Sequence, residues 1–258
     1  LGGDELFAGY PSFRRALKWG ALPAASKRVL RAAAGLGTHV LNGSVRSQKF
    51  LQLAASHGSV EEVYQVTRQL FGAPFLTQIT RTKNGSGSQV SNDRCGDEDV
   101  VNEISRLEIQ GYMANTLLRD TDVMSMAHSL EVRVPFVDVK VVDYVLSLPG
   151  EWKMPDGSAS VPKTLLADAV ADLLPRDFLA RRKMGFTLPF ANWMQGRLRG
   201  ELSSVFDDDR LLADAGLLAR GVREVWQRFL NAPRAVGWSR PWSLFVLANW
   251  CRINRVTI

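Results

Sequence analysis

The sequence predicts a mainly α chain. Apolar residues recur at helical spacing in most segments, and the alternating apolar and polar rhythm of a half-buried strand is almost absent. Pro, Gly and Asp punctuate the periodic stretches where helices start and stop. No internal repeat is present.

The first stretch, Leu1 to Tyr10, sets two adjacent glycines, Gly2 and Gly3, before two adjacent carboxylates, Asp4 and Glu5, and closes a short apolar run on Gly9. A glycine pair lets the backbone approach a ligand or take φ > 0. Asp4 is placed to cap a helix beginning at Glu5. A carboxylate pair beside bare backbone at a helix start suits a hydrated Mg2+ and its phosphates. A glycine turn with a capping Asp explains the same residues.

Ser12 to Ala34 reads as helix broken at Leu22-Pro23, and Gly35, Gly37, Asn42 and Gly43 mark turns. Val60, Val63, Tyr64, Thr67 and Leu70 predict an amphipathic helix over 60–71, ended by Gly72-Ala73-Pro74. Residues 80–99 are polar and rich in Gly, Ser and Asn, a composition that builds no core and predicts a flexible loop.

Asp99 then caps a helix whose apolar positions are Val100, Ile104, Leu107, Gly111, Ala114 and Leu118. A second helix is predicted from about Asp120 to His128, with the charge-dense Leu117 to Asp122 between them. Charge in such a place is either paired or used. Glu131 to Phe136 reads as extended, because Pro135 disfavours helix at Val134. Asp138 caps a helix carrying Val141, Val142, Val145, Leu146 and Leu148 and stopping at Pro149. A loop over 150–160 follows.

A helix is predicted to open near Pro162, with Lys163 in its first turn, and to run to Pro175. Arg181-Arg182-Lys183 lies in a basic loop before an apolar helix around Phe190 to Met194. Leu211 to Leu230 and Pro241 to Val256 read as two more helices, with Trp226, Trp242 and Trp250 in the core.

At 258 residues, 46% apolar and 22% charged, the chain is long enough for one large domain or two small ones of the soluble globular class. No apolar run approaches the ~18 residues of a membrane span, and no basic-then-apolar leader is present, so no membrane partner is expected. The chain begins with Leu in mid-motif, which predicts an N-terminally truncated fragment. Cys95 and Cys251 form neither a disulfide framework nor a zinc spacing, and a reducing, cytoplasmic compartment fits them. His39, His57 and His128 make no metal-ligand pattern. The net charge of +6 is concentrated. Arg14, Arg15, Lys18, Lys27, Arg28, Arg31, Arg46 and Lys49 lie in an acid-free block. Such a block could touch an anionic surface, but no aromatic interleaving or nucleic-acid module accompanies it. No nucleic-acid partner is expected.

Three features could converge on one anion. Asp4 and Glu5 with Gly2-Gly3 form the first. Lys163 is the second: an acid is the favoured charge in a helix's first turn, so a lysine there breaks a local rule. A solvated lysine is the plainer explanation. Arg119, Arg133 and the 181–183 cluster form the third, although Arg133 could instead pair with Glu131 or Asp138.

Four motifs then stand in order. They are Gly2-Gly3-Asp4-Glu5-Leu6-Phe7-Ala8-Gly9-Tyr10; the segment from Leu117 to Asp138; Pro162-Lys163-Thr164-Leu165-Leu166; and Lys183-Met184-Gly185-Phe186-Thr187-Leu188-Pro189-Phe190 followed by Trp193. Together they resemble the C-terminal synthetase domain of glutamine-hydrolysing asparagine synthetases of the class B type. The resemblance covers 1–195, the motif-bearing part, well and the helical tail 196–258 more loosely. It implies an α/β, adenine-nucleotide-hydrolase-like ATP pyrophosphatase domain, of which 1–258 is a partial, mainly α C-terminal portion.

The resemblance implies the rest as well. ATP and Mg2+ serve to adenylate the side-chain carboxylate of aspartate, and ammonia released from glutamine by an N-terminal glutaminase domain displaces AMP to give asparagine. Asp4 resembles the Mg2+-binding aspartate, supported by Glu5, and Lys163 the lysine that holds the phosphates as pyrophosphate leaves. Gly2 and Gly3 would line the nucleotide site. Glu131 and Arg133 match the family's Glu-x-Arg and would shape the pocket, and Asp122 matches a motif acid. The resemblance leaves room for a homodimer.

Two departures bear on this. Leu1 stands where well-studied members have a glutamate, which opens the class to other carboxylates, as in lactam-forming synthetases and amidotransferases of surface-polysaccharide or peptide pathways. Glu108 could supply a replacement carboxylate. The Ser-Gly-Gly-x-Asp-Ser pyrophosphate loop is also absent, so the chain alone is expected to hold part of a site and to be inactive. A non-catalytic helical module is the alternative from outside the enzyme class.

Overall fold

The computed structural model describes residues 1–36, 45–56, 58–81, 99–155, 163–175 and 188–258. Among them every regular element is helical, and the one β pairing is an isolated antiparallel bridge between Thr80 and Leu217. The mainly α class predicted from the sequence is the class observed. None of the described helices is long and apolar enough to cross a membrane. The turns at Gly37, Asn42 and Gly43, the loop over 82–98 with Cys95, the start at Pro162, the cluster 181–183, and His39 and His57 lie outside the described residues.

Two compact units emerge, the first drawn from 1–35, 53–68 and 88–183, the second from 36–52, 69–87 and 184–258. In the first unit, the helices Pro11–Gly20, Val60–Arg68 and Val100–Glu108 pack against one another. Phe13, Ala16 and Trp19 repeat at three-residue intervals and meet Val63, Tyr64, Val101, Ile104 and Leu107 in one buried cluster. Phe13 and Ile104 are fully buried, each worth about 1.5–3 kcal/mol by the apolar area removed from water. Ile104→Ala would therefore cost about 2–5 kcal/mol. A second, smaller cluster joins Leu6 and Phe7 to Val145, Leu165 and Leu166.

Asp99 caps the long helix as predicted, accepting from Val101 N at 2.9 Å and Asn102 N at 3.3 Å. The two helices predicted around Leu117 to Asp122 are in fact continuous. Val100–Glu108 is α, Ile109–Leu117 is π-helical and Leu118–Met126 is α. Nothing between Leu117 and Asp122 can break a helix, since neither Gly nor Pro occurs there. The irregularity lies upstream. Gly111 has low helix propensity, and Asn115 Nδ2 donates to the carbonyls of Gln110 at 3.1 Å and Gly111 at 3.0 Å. A side chain inserted among the backbone acceptors favours a widened turn.

Residues 130–134 have no regular structure and lead into a single 3-10 turn, Pro135–Val137. Asp138 caps Val139–Ser147 by accepting from Lys140 N at 2.9 Å. Where a loop was predicted after Pro149, Gly150–Lys153 makes one helical turn, because its first amide, Gly150 N, donates to the Asp99 carboxylate. Lys163 does not lie in the first turn of its helix. The helix is Thr164–Ala169, shorter than predicted, and Lys163 precedes it with φ +61°.

In the second unit, Arg199–Asp207, Asp209–Asp214, Ala219–Asn231 and Ser239–Asn254 surround a core that includes Met194, Leu202, Phe206, Leu212, Trp226 and Phe229. The single helix predicted over 211–230 is two. Gly216, at φ +66°, turns the chain, and Leu218 N donates to Ile79 O at 3.0 Å. Pro74 opens a helix, Ala73–Ile79, rather than ending one, as a proline in a first turn can. Trp226 is core and Trp242 packs at its edge, but Trp250 is 50% exposed. The buried stripe of its helix runs Pro241, Leu244, Phe245, Ala248 and Cys251, and two residues past Ala248 is about 200° round the helix.

Candidate active site

Gly2 adopts φ +91°, a conformation side chains rarely take, and a Cβ there would stand 2.7 Å from Phe136 Cβ and 3.1 Å from Val137 Cγ2. The Phe7 ring meets the Phe136 ring edge-on at 5.9 Å. The glycine turn is thus seated on the Pro135–Val137 turn. The short helix opens at Gly3, with Gly2 at its cap. Asp4 is therefore not the cap, contrary to the local rule. Glu5, fully enclosed, reaches back to accept from Gly2 N at 3.1 Å, half of a capping box. Its other oxygen accepts from the Tyr10 hydroxyl at 2.6 Å. Asp4 and Glu5 are neighbours in sequence with opposite fates: Glu5 is spent on the turn and Asp4 faces outward.

Asp4 is held closely. Gly9 N donates to Asp4 O at 2.8 Å, and a Cβ on Gly9 would fall 2.0 Å from Asp4 Oδ1. Lys163 Nζ stands 3.3 Å from that same Oδ1. A Cβ on Gly3 would come within 3.3 Å of the ammonium, so the bare glycine leaves it room. Gly2, Gly3, Asp4, Glu5 and Lys163 are brought together by these contacts.

Glu131 and Arg133 lie elsewhere in the same unit. They pair with each other, Arg133 Nη2 to Glu131 Oε1 at 2.7 Å, and both are largely exposed. They line a cavity of ≈ 630 Å³ between the Leu118–Met126 helix and the 131–138 segment, with Asp122 on the opposite wall. Val137 belongs to this lining and also backs Gly2, so the cavity abuts the glycine turn. Arg119 lies on an exposed face of its helix.

A buried polar cluster stands behind the turn. Arg68 forms a two-pronged ion pair with Glu108, whose side chain is 0% exposed; Nε donates to Oε1 at 3.0 Å and Nη2 to Oε2. Ser12 Oγ donates to Glu108 Oε1 at 2.9 Å, and the Tyr64 hydroxyl reaches Glu108 Oε2 at 3.4 Å and Leu107 O at 3.1 Å. The Arg68 guanidinium carbon lies 4.6 Å from the ring centres of both Tyr10 and Tyr112. Burial pushes the Glu108 carboxyl up, and Arg68 and Ser12 oppose that. Burial, and then the bond to Glu5, raise the Tyr10 phenol, which keeps it a proton donor. Glu108 is therefore no free replacement carboxylate. The one signal of this arrangement in the sequence is an acid on the apolar face of a helix, beside Leu107.

Among the described residues no three His, Cys, Asp or Glu side chains could hold a metal on their own. Mg2+ needs no such cage: it commonly takes one or two carboxylates and completes its shell with water and substrate phosphates. Asp4 fits that mode, while both oxygens of Glu5 are already used. Lys163 and the backbone at Gly3 suit phosphate oxygens, whereas Gly2, expected from the sequence to line the same site, is buried with its amide given to Glu5 and its open side against Phe136.

Residues 1–252 match the family described as asparagine synthase. The chain is 24% identical over 261 residues to the glutamine-hydrolysing asparagine synthetase 1 of Bacillus subtilis (strain 168), covering 98% of this chain and 39% of that protein. It is 27% identical over 210 residues to a putative glutamine-hydrolysing asparagine synthetase of Mycobacterium tuberculosis (strain ATCC 25618 / H37Rv), covering 78% of this chain and 30% of that one. Over a shorter stretch of 88 residues it is 41% identical to the Bacillus subtilis glutamine-hydrolysing asparagine synthetase 3, covering 34% of this chain and 14% of the relative. No solved structure gives a significant match. The chain thus spans less than half the length of these relatives, and nearly all of it falls within the family match: it belongs to the asparagine synthase family.

Proposed function

We propose that this chain is the synthetase portion of an ATP-dependent amide ligase that converts aspartate to asparagine. An oxygen of the aspartate side-chain carboxylate bonds to the α-phosphorus of ATP, and the bridging oxygen leaves with pyrophosphate, giving β-aspartyl-AMP. Ammonia then bonds to the acyl carbon, AMP departs with the electron pair, and the surplus proton goes to solvent. A glutaminase domain, of the N-terminal kind that the resemblance of the motifs implies, supplies the ammonia from glutamine, in keeping with relatives named as glutamine-hydrolysing.

The observation that carries this reading is the Lys163 ammonium 3.3 Å from Asp4 Oδ1 on a glycine turn. Lys163 holds phosphate oxygens as charge develops on the departing pyrophosphate, and such preorganised donors usually supply the largest share of catalysis. Asp4 would hold Mg2+, which when bound would withdraw charge from the phosphates. Gly3 lets the nucleotide approach the backbone, Gly2 seats the turn on Phe136, and Glu131 with Arg133 shapes the neighbouring cavity. The chain spans 39% of the Bacillus subtilis relative, and on its own it is expected to be inactive.

The test is an assay of the longest natural protein containing this chain, with ATP, Mg2+, aspartate, and glutamine or ammonium. Asparagine, AMP and pyrophosphate in equal amounts are expected. Leu1, 44% exposed where a family glutamate would stand, favours a second reading in which the acceptor is another carboxylate. AMP formed only with such an acid, and not with aspartate, would overturn the first reading in favour of the second.

A further inference from the structure

We infer that Tyr10 and Arg68 are positioning residues that hold Asp4 in place for the phosphate chemistry; the inference rests on the role given to Asp4 above. The Asp4 side chain is a quarter exposed and meets Lys163 Nζ at 3.3 Å, and its backbone is carried by the turn. On one side Glu5 ties the turn to Gly2 N and to the Tyr10 hydroxyl. On the other side Gly9, next to Tyr10 in sequence, lies against Asp4 Oδ1. Moving Tyr10 therefore loosens both flanks of Asp4 at once.

Tyr10 is itself held by Arg68. The guanidinium is fixed in its plane by two donors to Glu108 and lies over both the Tyr10 and Tyr112 rings, 4.6 Å from each centre, where the two rings meet edge to face at 6.5 Å. A planar fork stacked on aromatic faces is something lysine cannot reproduce. The π-helical segment that begins after Glu108 carries Tyr112, whose ring meets that of Tyr10 edge to face and shares the guanidinium with it. The sequence of contacts runs Glu108, Arg68, Tyr10, Glu5 and then Asp4, and no member of it except Asp4 needs to touch substrate. Supports of this kind typically change metal affinity or activity about 10- to 100-fold when broken.

Tyr10→Phe removes only the hydroxyl and leaves the ring under Arg68. Arg68→Lys keeps the charge and removes the fork. In the longest natural protein, both are expected to raise the Mg2+ concentration for half-maximal AMP formation by about tenfold or more, with the aspartate KM moved less than about twofold. Mn2+ titration in the presence of ATP, followed by electron paramagnetic resonance, reports the same weakening without turnover. Hydrogen exchange at the amides of 2–9 is expected to quicken. Val222→Ala, in the core of the other unit, controls for general destabilisation. Unchanged metal dependence in both variants, or a change no larger than in Val222→Ala, overturns the inference. If the unaltered protein forms no AMP with any carboxylate, the assigned reaction fails, and the exchange and Mn2+ results still decide whether Tyr10 and Arg68 hold Asp4.

Discussion

Lys163 Nζ stands 3.3 Å from Asp4 Oδ1, with the two side chains 29% and 25% exposed. A pair so open to water contributes about 1 kcal/mol at most. Lys163 also carries φ +61°, a left-handed conformation that costs a non-glycine residue about 1–3 kcal/mol. The pair therefore does little for the fold and is held at some expense to it. Lys163→Ala is expected to slow pyrophosphate release by at least about 100-fold while the melting temperature moves by only about 2 °C. Lys163→Gly should be equally slow and more stable than Lys163→Ala. Pyrophosphate release and thermal melts on the same preparations check both, and retention of most activity in Lys163→Ala would remove the lysine from the mechanism.

Gly2 and Gly9 separate backbone strain from site geometry. At Gly2, alanine would meet both φ +91° and Phe136 Cβ at 2.7 Å, so Gly2→Ala should destabilise by about 1–3 kcal/mol from the backbone alone. Gly9 has no positive φ, but its added Cβ would fall 2.0 Å from Asp4 Oδ1 and 2.9 Å from Asp4 Cα, so its whole clash is with Asp4. Gly9→Ala should lose activity out of proportion to stability, because the displaced group is the proposed metal ligand. Urea unfolding and AMP formation, compared between the two variants, test this; equal ratios of activity loss to stability loss would count against it.

The parts of this fold legible in sequence are those set by neighbours in the chain. Asp99 and Asp138 announce their helices because a cap needs only an amide two or three residues on. Asp4 obeyed the same local pattern and yet is not a cap, since a glycine in left-handed geometry let the helix begin earlier. The convergence of the glycine turn with Lys163 was readable from the order of motifs, not from any spacing. The Arg68–Glu108 pair was not readable, because its members come from helices far apart in sequence. The sign available was Glu108 itself, on a buried face shared with Val101, Ile104, Ser105 and Leu107. The π-helical segment was hidden for a similar reason: its cause is how one asparagine side chain competes for backbone carbonyls.

Removing half of the Arg68–Glu108 pair should cost more than removing all of it. Arg68→Met leaves a carboxylate with no exposure and no cation, expected to cost about 3–5 kcal/mol. Arg68→Met combined with Glu108→Leu should recover most of that. Recovery stays incomplete because Ser12 Oγ loses its acceptor, whereas Tyr64 keeps Leu107 O at 3.1 Å. In Arg68→Met the carboxyl, no longer opposed by the guanidinium, titrates further above 4.5. The folded state then binds more protons than the unfolded state, so stability rises as pH falls towards 4.5. Urea unfolding at two pH values measures this, and a double variant no more stable than Arg68→Met would refute the account.

Lys153 gives the chain a pH dependence of opposite origin. Its side chain is 0% exposed and donates to Asn102 Oδ1, and burial pushes the ammonium from 10.5 down to about 8, against the pull of Asp99. Between pH 8 and 10.5 the unfolded chain binds the proton and the folded chain does not, so stability rises with pH across that window. Below pH 8 both states are protonated and the whole cost is present, about 3 kcal/mol at about 1.4 kcal/mol per unit. Above pH 10 Tyr64, raised to about 12 by burial, acts in the opposite sense, because its phenol stays protonated in the folded state while the unfolded chain ionises. The clean interval is therefore pH 8 to 10. Lys153→Met should be more stable than the unaltered chain at neutral pH and nearly flat across that interval. Asn102 loses one partner but still donates to Leu148 O at 3.0 Å. Parallel slopes for the two proteins in urea unfolding at pH 8 and pH 10 would show that the buried ammonium is not the titrating group.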